Sequence, residues 1–277
     1  MSATWQSDTP PPEVRLTPFG IFRAFLKAVP LFFLIFGGLS LLLALRLVER
    51  PIFGSHRPIT PYLTVTVCKG ALWIIGLRLQ VVGQPIKGRG AIVANHSSWL
   101  DIFVLNASKR IYFVSKDDVA GWPGIGWLAK ATGTVFIERN RTKAAEQAEV
   151  FRSRLMAGHK LLFFPEGTSS DGTRVLPFKS TLFAAFFDPT LQNHLKIQPV
   201  SVRYQAPDGQ DTRFFAWWGD MDFGSHFLRI LAQGGGGAVL VTYHDALEIS
   251  QFASRKLLAQ TCENTVRAGW SDPTLNR

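Results

Sequence analysis

Gly90-Ala91-Ile92-Val93-Ala94-Asn95-His96-Ser97-Ser98-Trp99-Leu100-Asp101 is the stretch that decides the fold. It starts as a short apolar run, turns polar at Asn95, and then opens into a helical pattern over Ser98–Ala107. An apolar run of this length, flanked by glycine and a polar turn, reads as a strand ending in a turn. Further apolar runs at Leu79–Val82, Tyr112–Val114, Thr134–Ile137, Leu161–Phe164, Ile197–Val202 and Val239–Tyr243 read as strands. Trp122–Ala131, Thr142–Ala157 and Ser180–Asp188 read as helices between them. In Thr142–Ala157, residues Ala145, Ala148, Phe151, Leu155 and Met156 fall near a 3.6-residue spacing. This alternation predicts an α/β domain with a mixed, largely parallel sheet flanked by helices.

Upstream the pattern is different. Ala28 to Leu45 carries no charged residue, and Lys27 and Arg46 bracket it. Its roughly 18 residues make about 27 Å of helix, the short end of what crosses a bilayer core. Both basic side chains are placed to reach lipid headgroups. A second apolar run, Tyr62 to Leu77, is interrupted by Lys69 and suits an interfacial or packed helix. A tail with membrane-anchoring helices over residues 1–77 and a catalytic domain over residues 78–277 is therefore expected. The segment from about Ile249 reads as a helix and tail.

Composition narrows the chemistry. The chain has 277 residues, 47% of them hydrophobic, and a formal net charge of +10. A basic balance suits anionic partners such as lipid headgroups or acidic acyl carriers. A nucleic-acid binder would rest on charge alone, because no groove-reading motif is present. Cys68 and Cys262 form no C-x-x-C pair, so neither zinc nor a disulfide framework is implied.

His96 leaves the first strand, and Asp101 lies five positions later. Within one helix that spacing puts the two on different faces. With His96 outside the helix and Ser97 or Ser98 capping it, the ring folds back onto the carboxylate. The carboxylate then fixes the imidazole tautomer and supports the cation formed when histidine takes a proton. A structural His–Asp pair has the same pattern. No G-x-S-x-G elbow accompanies it, and His96, Asp101 and Glu166 lack paired metal-ligand spacing. What remains is direct, base-assisted attack by a hydroxyl on an activated acyl group. Phe163-Phe164-Pro165-Glu166-Gly167-Thr168-Ser169-Ser170-Asp171-Gly172 follows another strand with amides, hydroxyls and a carboxylate suited to a polar headgroup, or to a plain turn. Phe136-Ile137-Glu138-Arg139-Asn140-Arg141 brings guanidinium groups to a strand end, as an anion site or a solvated loop. Lys116 and Lys179 are further candidates to meet an anion.

His96-x-x-x-x-Asp101, Phe136-Ile137-Glu138-Arg139, Phe164-Pro165-Glu166-Gly167-Thr168 and Gln198-Pro199-Val200, in this order, resemble the glycerolipid acyltransferases of the lysophosphatidic acid type. The resemblance covers roughly residues 78 to 245. It implies a glycerol-3-phosphate acyltransferase-like fold and transfer of a fatty acyl group from acyl-CoA or acyl-carrier protein to a lysolipid hydroxyl. It implies no bound cofactor and no metal. His96 would be the base and Asp101 its partner. Arg139, Glu166 and Gly167, with Thr168 and Ser169 beside them, would bind the acceptor, and Pro199 would shape the site. The implied setting is the bacterial inner membrane, with the site facing the cytoplasm. In phosphate-acceptor members an arginine commonly follows Gly-Thr; here that position is Ser169, which removes a bidentate phosphate ligand. The longer stretch from Glu166 to Asp171-Gly172 and on through Pro177 to Phe186 resembles the bacterial lyso-ornithine lipid O-acyltransferases. That acceptor is expected, with lysophosphatidic acid as the alternative and an inactive membrane lipid-binding protein as the reading from another class.

Overall fold

The structure is a computed structural model that describes residues 5–13, 16–137, 144–192 and 195–272. In chain order its strands are β1 (Arg78–Val82), β2 (Gly90–Ala94), β3 (Tyr112–Lys116), β4 (Val135–Ile137), β5 (Lys160–Phe163), β6 (Lys196–Gln205), β7 (Ala238–Tyr243) and β8 (Leu247–Glu248). The helices are α1 (Pro18–Phe53), α2 (Thr60–Ile75), α3 (Asp101–Ser108), α4 (Ile125–Thr132), α5 (Ala144–Met156), α6 (Pro189–Gln192), α7 (Phe223–Ala232) and α8 (Arg255–Ser271). The sheet runs β1-β7-β6-β2-β5-β3-β4, with β8 also on β6. From β6 to β4 every pairing is parallel. β7 and β8 run antiparallel to β6, and β1 follows β7 in parallel. The sheet is thus mixed and largely parallel, as expected.

Every residue of β2 is buried, as a central parallel strand requires. Its side chains alternate between two cores. Ile92 and Ala94 join α2, α3 and α7 on one face. Ala91 and Val93 join α5, α8 and the 180–187 turns on the other. All parallel strands from β6 to β4 therefore end at one edge, which carries the β2–α3 and β5 connections.

Three expectations change in detail. Ser180–Phe187 is a 3-10 segment rather than an α-helix. Phe183 and Phe186 are both fully buried, and a 3.0-residue turn aligns positions three apart. Second, α1 is twice the length of its uncharged stretch, at 36 residues. It is the one described helix long and apolar enough to cross a membrane. Third, Lys27 does not reach outward: its ammonium donates to the Ile75 carbonyl at 2.8 Å and the Gln233 carbonyl at 2.9 Å. It thereby caps the C-terminal ends of α2 and α7, where partial negative charge accumulates. Arg46 turns to the buried Glu49 carboxylate at 2.9 Å, which also accepts the Ile59 and Thr60 amides. Lys27 thus pins α1 to α2 and α7, whereas Arg46 stays within α1, on the carboxylate that holds the start of α2.

β8 and α7 were not legible as elements. β8 is two residues long, and α7 opens on Phe223-Gly224-Ser225, where Asp222 caps by accepting from the Ser225 amide at 2.7 Å.

Candidate active site

The site starts where β2 stops. Asn95 replaces the next rung of the ladder with its side chain: its amide donates to the Val202 carbonyl and accepts from the Val202 N–H, both at 2.8 Å. This keeps the strand end fixed while the main chain turns out of the sheet at His96. The loop after β5 then clamps His96 from both sides. The His96 N–H donates to Glu166 Oε1 at 3.1 Å, and the His96 carbonyl accepts from the Ser170 N–H at 2.9 Å. The Ser97 carbonyl is held by the Trp217 N–H at 2.8 Å.

The imidazole is fixed in plane and in tautomer. It stacks on Phe164 with centroids 4.1 Å apart and 13° between planes. Its Nδ1 lies 2.7 Å from Asp101 Oδ2. The same oxygen accepts from the Ser97 N–H at 2.9 Å and the Ser98 N–H at 3.1 Å, and Oδ1 accepts from the Tyr204 hydroxyl at 2.6 Å. Four donors converge on a fully buried carboxylate, so Nδ1 carries hydrogen and Nε2 is left with its lone pair. The histidine side chain remains 20% exposed, and Nε2 has no partner among the described residues. The expected cap is shared. Ser98 Oγ accepts from the Leu100 N–H at 3.3 Å in the turn that leads into α3, and Asp101, at the first helical residue, gathers the Ser97 and Ser98 N–H groups before it.

Glu166 is 2% exposed, and burial pushes its carboxyl well above the usual carboxylate range. Its Oε2 has no partner. The amide donors from His96 and Leu176 pull the other way and are outweighed. Gly167 sits at φ +73°, the left-handed region that glycine favours, and a side chain there would meet the Lys179 ammonium at 2.9 Å. Lys179 therefore lies over this turn, with its own N–H on the Pro165 carbonyl at 2.9 Å.

The structure thus brings His96, Asp101, Glu166, Gly167 and Lys179 together. Thr168 follows in the same loop, where its hydroxyl accepts the Trp5 N–H at 3.4 Å, and Ser169 is nearly buried. Lys116 ends β3, two strands from β2 on the same sheet edge. Arg139, with Glu138 and Arg141, lies outside the described residues. Arg174 lies beside Asp171 at 3.4 Å and over the Trp5 ring. Tyr204, Asn95, Phe164 and Trp217 escaped the sequence reading as parts of the site. Asn95, directly before His96, gave a local signal; Tyr204 lies 103 residues from Asp101 and gave none. The N-terminal tail is also part of this edge: Ser7 donates to Asp171 at 2.8 Å and Gln6 to Asp220 at 2.9 Å. Among the described residues no three His, Cys, Asp or Glu side chains gather as metal ligands.

A histidine whose Nε2 meets no partner among the described residues, oriented by a buried carboxylate at a strand end, fits proton removal from a hydroxyl. Fold and site together are those of an acyltransferase, and the acyltransferase family profile matches residues 78–203. A lyso-ornithine lipid O-acyltransferase of Rhodobacter capsulatus is 52% identical over 96% of both chains. Another, of Brucella abortus, is 36% identical over 74% of this chain and 80% of its own. The chain belongs to the lysolipid acyltransferase family. The crystal structure of a 1-acyl-sn-glycerophosphate acyltransferase from Thermotoga maritima shares the fold, with a TM-score of 0.63 over 93% of this chain and 95% of that one at 20% identity.

Proposed function

We propose that this acyltransferase moves a fatty acyl group from acyl-carrier protein or acyl-CoA to the hydroxyl of lyso-ornithine lipid. The observation that carries the chemistry is the unpartnered Nε2 of His96 set by the His96–Asp101 contact. His96 Nε2 takes the acceptor hydroxyl proton as the oxygen attacks the thioester carbonyl. The new ester C–O bond forms, the C–S bond breaks, and the imidazolium returns its proton to the departing thiolate. Asp101 supports that cation throughout, and a positioned base of this kind is worth about 10² to 10⁴ in rate.

The acceptor rests on the names of the relatives and on Ser169, where a phosphate-binding arginine fork is missing. The ornithine carboxylate is assigned to the Lys179 ammonium, and the nearness of that ammonium to Gly167 supports the assignment. Glu166, Thr168 and Ser169 lie in the same loop, Lys116 is assigned to the acceptor from the end of β3, and Arg139 is assigned to it from the sequence motif alone. Residues 1–77 anchor the enzyme, and residues 78–277 form the catalytic unit. The exposed face of α1, with Phe22, Phe25, Phe33 and Leu47 each more than half exposed, supports bilayer contact. Location at the bacterial inner membrane, with the site open to cytoplasmic donors, follows from that reading.

Competition decides the acceptor. Purified enzyme with labelled acyl donor is offered equal lyso-ornithine lipid and lysophosphatidic acid. The ornithine lipid is expected to be consumed first, and preference for the phosphate lipid would overturn the assignment. Ser169→Arg is expected to raise use of the phosphate lipid.

A further inference from the structure

The opposite edge of the sheet holds a cavity of about 220 Å³ that the reaction does not use. His56 and Arg57 come from the α1–α2 turn, Lys109 and Arg110 from the end of α3, and His159 and Lys160 from the start of β5. β5 separates the two edges, since Lys160 opens it and Phe164, against the His96 ring, follows it. That places the cavity roughly 13 Å from the site at strand rise. Among the described residues no Asp or Glu lines the cavity.

Part of this charge has structural employment. Arg57 donates to the Ala131 carbonyl at 2.9 Å, and Arg154, just behind the wall, donates to the Gly133 carbonyl at 2.7 Å. Both cap the C-terminal end of α4. Arg110 lies over the Tyr62 ring at 4.2 Å. Lys109 and Lys160 have no such role. Neither pairs with a carboxylate among the described residues, and each half-buried ammonium is held below the usual lysine range, first by burial and then by neighbouring cations.

His159 lines the same cavity at 4% exposure, and its Nδ1 accepts from Arg154 Nε at 2.6 Å. The ring hydrogen therefore sits on Nε2, toward the Ser55 carbonyl and out of reach of the cavity. Burial first, then Arg154 and Arg57, lower the ring to about 4, so His159 adds no charge to the wall.

We propose that this cavity, ringed by cations without a lining carboxylate, binds a phosphate-bearing anion, with Lys109 and Lys160 as its charged ligands. A lipid headgroup suits it best. The end of α1 exposes Ile52 and Phe53, the turn after it exposes Ile59, and Tyr62 follows at the start of α2, so an apolar surface adjoins the charge. The site would hold the far end of α1 against an anionic membrane while the acceptor edge turns over.

The test uses full-length protein and two probes: inorganic phosphate in a thermal melt, and sedimentation with phosphatidylcholine vesicles with or without phosphatidylglycerol. Lys109→Gln/Lys160→Gln is compared with Arg255→Gln/Lys256→Gln, which removes the same charge from exposed positions on α8. The cavity variant is expected to lose on the order of tenfold in partition onto phosphatidylglycerol vesicles, and the α8 variant much less. Loss on vesicles without a phosphate-induced melting shift identifies the headgroup as the source. A melting shift in the parent that the cavity variant lacks shows that the free ion suffices. If the cavity variant matches the α8 variant on vesicles and phosphate shifts no protein selectively, the proposal is overturned. Should the double variant fail to melt cooperatively, Lys160→Gln alone gives the same comparison.

Discussion

The two edges of this sheet treat buried charge in opposite ways. At the edge that carries His96, a fully buried carboxylate receives four hydrogen-bond donors. At the other edge, cations crowd a cavity with no carboxylate on its walls among the described residues. A satisfied network is rigid and holds one geometry, which suits a group that must meet a proton in a fixed place. An unsatisfied one is complete only with a ligand. Function at the first edge should therefore fail through lost geometry, and at the second through lost binding.

The largest effects belong to the first edge. His96→Ala is expected to abolish acyl transfer to within the background of the assay, a loss of at least 10² to 10⁴, with the melting transition nearly unchanged because the ring is partly exposed. Full activity in that variant would remove the mechanism. Asp101→Asn sets an amide nitrogen among N–H donors. It should cost at least 10² in rate and, unlike the histidine change, about 3 kcal/mol in stability. Equal stability of the two variants would mean that Asp101 is less deeply committed than its contacts imply. Tyr204→Phe leaves Oδ1 without its donor and should cost roughly 1.5 to 3 kcal/mol. Activity is expected to fall about tenfold with little change in substrate KM.

Glu166 distinguishes positioning from charge. Its raised folded value means that the folded state holds a proton that the unfolded chain has released, from about pH 4.3 upward to the folded value. Stability therefore falls as pH rises through that window. Glu166→Gln keeps the acceptor for the His96 amide and carries no proton to lose. Its melting temperature should drop less than that of the parent between pH 5 and pH 7. Its activity should exceed that of Glu166→Ala severalfold. A parallel pH dependence in parent and Gln variant would show that Glu166 is ionised when folded.

How much of this was legible follows from sequence distance. His96 and Asp101 lie five positions apart, so their contact needed only a strand end and a turn to be inferred. The strands were legible because burial on both faces leaves unbroken apolar runs, β2 being the clearest. Tyr204 was invisible because it comes from β6, β2's neighbour in the sheet, while its partner Asp101 opens α3, 103 residues away. Lys27 and Arg46 read as membrane-facing because snorkelling and helix capping use the same side chain at the same boundary. Only the nearness of the α2 and α7 C-termini decides between them. The docked tail around Ser7 had no periodicity to betray it.

The smallest effect separates the edges most cleanly. In detergent micelles, where no anionic surface is present, Lys109→Gln should change acyl transfer by less than about twofold, because geometry at His96 does not pass through the cavity. Its signature lies in pH dependence instead. A lysine held below its ordinary value in the folded state binds fewer protons there than in the unfolded chain. Stability then rises with pH between the depressed value and about 10.4. The parent should gain stability on going from pH 8 to pH 10, and Lys109→Gln should gain less over the same interval. If both gain equally, Lys109 is neither desolvated by burial nor crowded by Arg110 and Lys87, and the contrast between the two edges is weaker than the structure indicates.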